Sequence, residues 1–153
     1  MIALIIGECG VGKTWVMKQM LKDTKRYKLG LYCFHENDNT IIVGKYDGST
    51  FEGSDKLSMG VMKDLDKMLM YIKRKNKSAV FEGDRFMNKN FIEKAKPYII
   101  KIDGDGEAGR IKRGSNQTER QLKTIRTRVK NITPNEVVKN SGDCLNLIKT
   151  KIV

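Results

Sequence analysis

The chain has 153 residues, 39% of them hydrophobic, and carries 30 Lys and Arg against 18 Asp and Glu, a net charge of +12. That length suits one domain (1–153) around one core, and no apolar run reaches the roughly 18 to 20 residues that a membrane-crossing helix needs. Cys9, Cys33 and Cys144 are widely spaced and form neither a zinc pattern nor a disulfide framework, so a reducing cytoplasm is the expected setting. Met1 to Ile6 are apolar but run straight into a glycine loop, with no basic segment ahead and no small-residue cleavage site, and are not read as a signal peptide.

In chain order, Ala3 to Ile6 predicts a short buried strand, and Gly12 to about Asp23 a helix with Val16, Met17, Met20 and Leu21 as its apolar stripe. Leu29 to Phe34 and Ile41 to Tyr46 predict two more strands, joined by a hairpin turn at Glu36 to Asn39. Leu57 to Lys73 shows the clearest helical spacing, through Val61, Leu65, Met68, Leu69 and Ile72. Ala79 to Glu82 is a strand ending in an acid, Asn88 to Lys94 a short helix, and Tyr98 to Ile102 another strand. Gly104 to Ser115, rich in glycine and charge, predicts a mobile loop. Gln117 to Lys130 predicts a helix with Leu122, Ile125, Val129 and Ile132 inside and its basic residues mainly outside. Val137 to Lys139 and Gly142 to Lys151 predict a last strand and helix. Strands alternating with helices imply an α/β fold with a mostly parallel sheet.

The most specific string is Gly7-Glu8-Cys9-Gly10-Val11-Gly12-Lys13-Thr14, which satisfies G-x-x-x-x-G-K-[ST] between a strand and an amphipathic helix. Glycines there let backbone N–H groups curl around phosphate oxygens, and the helix start adds partial positive charge. Lys13 is expected on the β- and γ-phosphates of ATP, and Thr14 on Mg2+; no base-reading motif excludes GTP. Cys9 reads as a small filler; Trp15 is placed either near the nucleotide base or in packing, with packing the favoured reading.

A second cluster, Glu82-Gly83-Asp84-Arg85-Phe86, follows an apolar strand, and function gathers at the carboxyl ends of parallel strands. Glu82 is first in line as the magnesium-associated carboxylate and Asp84 second, with Arg85 steadying a phosphate. The bland reading is a surface turn in which Asp84 and Arg85 pair. Asp47 and Asp55 are the candidates for accepting a proton from an acceptor hydroxyl; Asp38 is weaker, and His35, the single histidine, is given no role. Arg110 and Arg113, with Arg120, are candidate lid arginines that would stabilise a transferring phosphoryl group while closure excludes water. From Arg110 to Lys130 eight basic residues face one acid, Glu119, a local net of +7. This points to a polyanionic partner, with Arg120, Lys123, Arg126 and Arg128 as candidate nucleic-acid contacts, against the bland reading of a solvated face.

The phosphate loop, Gly44-Lys45-Tyr46-Asp47-Gly48, Gly53-Ser54-Asp55-Lys56-Leu57-Ser58-Met59, Glu82-Gly83-Asp84-Arg85-Phe86 and Ser115-Asn116-Gln117-Thr118-Glu119-Arg120, in this order, resemble small bacteriophage P-loop kinases of DNA base hypermodification, the 5-hydroxymethyluracil DNA kinases. The resemblance spans roughly residues 1–133. It implies a P-loop kinase-like three-layer α/β/α sandwich with a mobile lid at about 104–116. It implies ATP and Mg2+ as cofactors and transfer of the γ-phosphate to the hydroxymethyl group of a modified pyrimidine in DNA, in the host cytoplasm. Nucleotide and magnesium roles would pass to Lys13 and Thr14, and active-site roles to Asp47, Asp55, Glu82, Asp84 and Arg85, with the base left open. A kinase of free nucleosides or nucleoside monophosphates shares most of these features, and a DNA-binding ATPase module is the reading from another class.

Overall fold

A computed structural model describes residues 1–48, 52–114 and 117–153, apart from the side chains of Asp55 and Arg113. Its strands are β1 (Ile2–Ile6), β2 (Lys25–Leu29), β3 (Tyr32–Glu36), β4 (Thr40–Val43), β5 (Ser78–Glu82), β6 (Tyr98–Ile102) and β7 (Glu136–Val138). The helices are α1 (Lys13–Lys18), α2 (Leu65–Lys75), α3 (Lys89–Ala95), α4 (Glu107–Arg113), α5 (Glu119–Asn131) and α6 (Ser141–Lys151). The strands form one sheet in the order β2-β3-β4-β5-β1-β6-β7. The four pairings from β4 to β7 are parallel, and the two that add β3 and β2 are antiparallel. The α/β class and the mostly parallel sheet match the reading of the sequence.

Residue alternation in the central strands separates two cores. Leu4 and Ile6 of β1, Ile41 and Val43 of β4, and Ala79 and Phe81 of β5 face one side, where Leu65, Met68 and Ile72 of α2, Phe91 of α3 and Val129 of α5 cover them. Ala3 and Ile5, Ile42 and Val80 face the other, under Val16 and Met17 of α1 and Cys144, Leu145 and Ile148 of α6. The helices thus lie on both faces of a sheet buried on both sides, which is why the inner strands read as unbroken apolar runs. Within the first core, Phe81, Phe86 and Phe91 meet with ring centroids 4.8 to 5.1 Å apart, in tilted and edge-on geometry.

Several local features depart from the sequence expectations: α1 ends at Lys18 rather than near Asp23, and the strand expected from Leu29 to Phe34 is broken by a turn at Gly30 and Leu31 between β2 and β3. Strand β2 was not expected: four of its five residues are exposed, and pairing with β3 makes it a strand. Its lysines suit an edge, where charge discourages further strand addition. The long helix does not begin at Leu57; a turn at Ser58 to Gly60 and a short 3-10 segment, Val61–Asp64, precede α2. The third strand ends at Val43 rather than Tyr46, because Gly44 turns the chain at positive φ. The glycine-rich stretch after β6 is not wholly loop. It contains α4, bounded by Gly106 and Gly114, both left-handed; its 115–116 end lies outside the described residues.

Phe86 is fully buried at the centre of the aromatic cluster. Phe86→Ala is expected to cost about 3–5 kcal/mol, measured as a loss of unfolding free energy in urea. Burial pushes the Cys144 thiol up to about 12, while Cys9 and Cys33 are only half-buried. A thiol reagent at pH 8 should therefore label Cys9 and Cys33 well before Cys144 in the folded protein. Mass spectrometry of timed samples checks this, and denaturant should abolish the difference.

Candidate functional site

The parallel strands all end at one edge of the sheet. Onward connections diverge there: from β1 the chain leads toward β4 and β5, and from β6 toward β7. Such a divergence opens a crevice at the strands' carboxyl ends, and a cavity of about 700 Å³ lies at that edge. Residues following five different strands line it: Gly10 to Thr14 after β1, Glu52 after β4, Glu82 and Asp84 at β5, Gly109 and Lys112 after β6, and Ser141 after β7.

The loop after β1 has the geometry its glycines require. Gly10 and Gly12 sit at φ 91° and 100°, values that side-chain-bearing residues rarely adopt. Lys13 folds back over the loop, its Nζ donating to the carbonyl oxygens of Gly7 at 2.9 Å and Glu8 at 3.0 Å. The ammonium is therefore held at the mouth of the loop by weak acceptors that an anion would replace. Thr14, the second residue of α1, lines the cavity beside it.

Register places the acids. Ile5 of β1 pairs with Glu82 of β5, so Glu82 stands beside the last residues before the glycine loop, 3% exposed. The loop after β4 closes over it: a Cβ on Gly53 would come within 2.6 Å of Glu82 Oε1, and one on Gly83 within 2.6 Å of Ser54 Oγ. That packing carries Glu52 into the cavity wall, 8% exposed, where its carboxylate accepts from Lys18 Nζ at 2.8 Å and from the Gly48 amide at 2.7 Å. Glu52 was not singled out from sequence, because nothing in its neighbourhood marks it; only the return of the chain at Gly53, paired with Lys45, brings it in.

Asp84 pairs with Arg128 of α5 rather than with Arg85. Arg85 is half-buried, and it lines neither this cavity nor a smaller one of about 330 Å³ that continues from it. Asp47 lies within 3.9 Å of Lys45 and is likewise absent from the cavity wall. The Asp55 side chain lies outside the described residues. The smaller groove shares Asp84, Gln117 and Ile125 with the larger cavity and adds Arg120, Thr124 and Arg128.

Helix α4 sits directly on the glycine loop. A Cβ on Gly109 would fall 1.9 Å from the Gly10 carbonyl oxygen, and one on Gly106 1.9 Å from that of Cys9. Two backbones meet with no side chain between them. Arg110 Nη1 donates to the Cys9 carbonyl at 2.9 Å, so this arginine is seated on the loop, while Lys112 is the cation of α4 that lines the cavity. The Arg113 side chain is outside the described residues. Helix α5 is tied to the same loop through Arg126 Nε and Glu8 Oε1 at 2.6 Å. That pair and the Arg128–Asp84 pair are solvent-accessible, a class of interaction that contributes little to stability. Lys123 is exposed on α5 and lines neither cavity, whereas Arg120, also exposed, lines the smaller groove.

His35 has a structural role: its Nε2 accepts from the Tyr46 amide, and burial, then the nearby Arg26 charge, lower its pKa. Among the described residues no group of three or more His, Cys, Asp and Glu is arranged to hold a metal ion by itself. No helix among the described residues is long and apolar enough to cross a membrane. Protein-family models, curated proteins and solved structures were all compared with this chain, and none matches it.

The α4 contact is directly testable. Gly109→Ala favours helix intrinsically but places a methyl group inside the Gly10 carbonyl. The expected outcome is undocking of α4, read as faster amide exchange across residues 104–114 with the exchange of β1 and β5 unchanged.

Proposed function

We propose that this protein is an ATP-dependent P-loop kinase that phosphorylates the hydroxymethyl group of 5-hydroxymethyluracil in DNA. The observation that carries the reading is the convergence, on one cavity, of the Lys13–Thr14 loop, the buried Glu82 carboxylate and the basic segment α4–α5. A loop shaped by left-handed glycines, with a lysine at its mouth, suits a nucleoside triphosphate. A groove bearing Arg120 and Arg128 that continues from it suits the phosphate backbone of the acceptor strand.

In this reading the Lys13 ammonium leaves the Gly7 and Glu8 carbonyls and spans the β- and γ-phosphates. Asp84, which lines both cavities, accepts the proton of the acceptor hydroxyl. The hydroxyl oxygen bonds to the γ-phosphorus, the bond from that phosphorus to the β,γ-bridging oxygen breaks, and ADP leaves with its electron pair. Arg128, paired with Asp84, orients the carboxylate, and Lys112 adds positive charge from the α4 side. The Thr14 hydroxyl and the Glu82 carboxylate fit a magnesium ion, which takes one or two protein oxygens and completes its shell with water and substrate phosphate; when bound it supplies neutralisation of charge on the β- and γ-oxygens. A base within a duplex would have to leave the stack to reach the cavity.

A kinase of free nucleosides is the second reading, and one observation favours it. Arg126 and Arg128 are turned onto Glu8 and Asp84, so two of the α5 cations already have partners in the site.

Transfer from γ-labelled ATP with magnesium decides between them. The acceptors are plain duplex DNA, DNA containing 5-hydroxymethyluracil, and free nucleosides and monophosphates. Label in the modified DNA alone is the expected result; label in a free nucleoside selects the second reading, and label only in inorganic phosphate would leave an ATPase module. Lys13→Ala is expected to abolish transfer with the fold intact, and Asp84→Asn to lower kcat about 10²–10⁴-fold while ATP affinity holds. For the DNA contact, Arg120→Ala should reduce the slope of log affinity against log salt by about one, and an unchanged slope would remove that groove from the interface.

A further inference from the structure

Packing is the favoured reading of Trp15 in the sequence, and the fold does not give it that role. This single tryptophan is 45% exposed, belongs to neither core and lines the 700 Å³ cavity. Tryptophan is highly buried on average, so an indole left half-exposed in a cavity wall presents a large flat face to whatever enters.

The position of that face along α1 says which part of which ligand it meets. Successive residues of a helix lie about 100° apart around its axis, so Lys13 and Trp15 leave α1 on nearly opposite sides. Lys13 turns back over the glycine loop to the Gly7 and Glu8 carbonyls, and in the kinase reading its ammonium marks the β- and γ-phosphates. Long helical side chains lean toward the start of their helix, over the turn before their own Cα. For Trp15 that turn is Val11 and Gly12, which line the same cavity. Gly12 in turn abuts Ser141, another lining residue, where a Cβ on the glycine would come within 2.9 Å of the serine Cβ. The indole and the Lys13 ammonium therefore stand on opposite sides of the loop's mouth. A triphosphate with its γ end at Lys13 has its α end, and the nucleoside tied to it, toward Trp15. The acceptor belongs at the Lys13 end, because its hydroxyl must reach the γ-phosphorus.

We propose that Trp15 is the platform on which the purine ring of the donor nucleoside triphosphate stacks. The proposal rests on the reading of the glycine loop as the donor's phosphate site, and adds to it the residue that holds the base. Stacking on an indole uses the face of the base rather than its hydrogen-bonding edge. The ring therefore fixes where the nucleoside lies, and with it the line along which the γ-phosphate points away from Trp15.

The single tryptophan reports on its own face. Emission of the full-length protein with magnesium is followed in three separate titrations. The ligands are a non-hydrolysable ATP analogue, ribose 5-triphosphate (the same polyphosphate without a base) and an oligonucleotide containing 5-hydroxymethyluracil. The analogue should quench emission, and the other two should leave it unchanged. By calorimetry, Trp15→Ala should bind the analogue about tenfold or more weakly, and Trp15→Phe within about threefold of the unsubstituted protein. Both variants should bind ribose 5-triphosphate as the unsubstituted protein does. Equal quenching with and without the base, quenching by the oligonucleotide alone, or undiminished affinity of Trp15→Ala for the analogue would each overturn the proposal. So would an equal loss of affinity for ribose 5-triphosphate, which would make Trp15 a support of the loop's shape. Quenching by the analogue without label transfer to any acceptor ends the kinase reading and leaves the base platform standing. Label transfer from ATP with undiminished analogue affinity in Trp15→Ala does the reverse, and no affinity for either triphosphate would overturn both.

Discussion

Everything at this site is built on the backbone of one eight-residue loop. Gly10 and Gly12 take left-handed conformations, and the path this gives the loop leaves each of its parts in contact with a different element. Glu8 holds Arg126 of α5, the Cys9 and Gly10 carbonyls meet Gly106 and Gly109 of α4, Gly12 meets Ser141 of α6, and Lys13 bonds back to Gly7 and Glu8. A side chain at Gly10 or Gly109 would push α4 away, and a loop without left-handed residues would not turn toward it. The loop is thus the surface on which the surrounding helices are assembled.

Those contacts differ in kind, and the difference bears on motion. The sheet beneath is anchored by apolar packing on both faces, with Leu4, Ile5 and Ile6 fully buried. The parts above it are held by backbone contact and solvent-accessible ion pairs, which individually contribute little. Lysine and arginine at these positions have carbonyl and carboxylate partners of the charge type that phosphate oxygens would replace. A rigid base under weakly tethered cations is the arrangement expected where a polyanion enters and leaves, because binding then exchanges one set of polar contacts for another and leaves the core intact.

Much of this was legible in the chain. The glycine loop, the acid-terminated strand and the existence, though not the bounds, of the helices beside them follow from local pattern, because a glycine motif and an apolar run report on neighbours within a few residues. The Asp84–Arg85 pairing considered from their adjacency does not form, since Asp84 turns to Arg128, 44 residues on. Trp15 shows the same limit: an aromatic residue three positions after Gly12 reads as core, and only the fold shows that it is 45% exposed in the cavity wall. Helix α4 was hidden because glycine is a poor helix former; its Gly106 and Gly109 answer to a close approach on another segment, which no local propensity records.

By itself, then, the sequence determined the glycine loop, the α/β class, the apolar faces and the concentration of positive charge, all properties of residues near one another along the chain. The tertiary structure alone decided that Glu52 and Trp15 share a cavity with Glu82 and Asp84, that Arg126 and Arg128 reach back to the site, and that α4 rests on Gly10. Each of these joins segments far apart in the chain, and such contacts depend on the strand order β4-β5-β1-β6-β7. That order is set by how the apolar faces of distant strands and helices cover one another, and no single segment carries it.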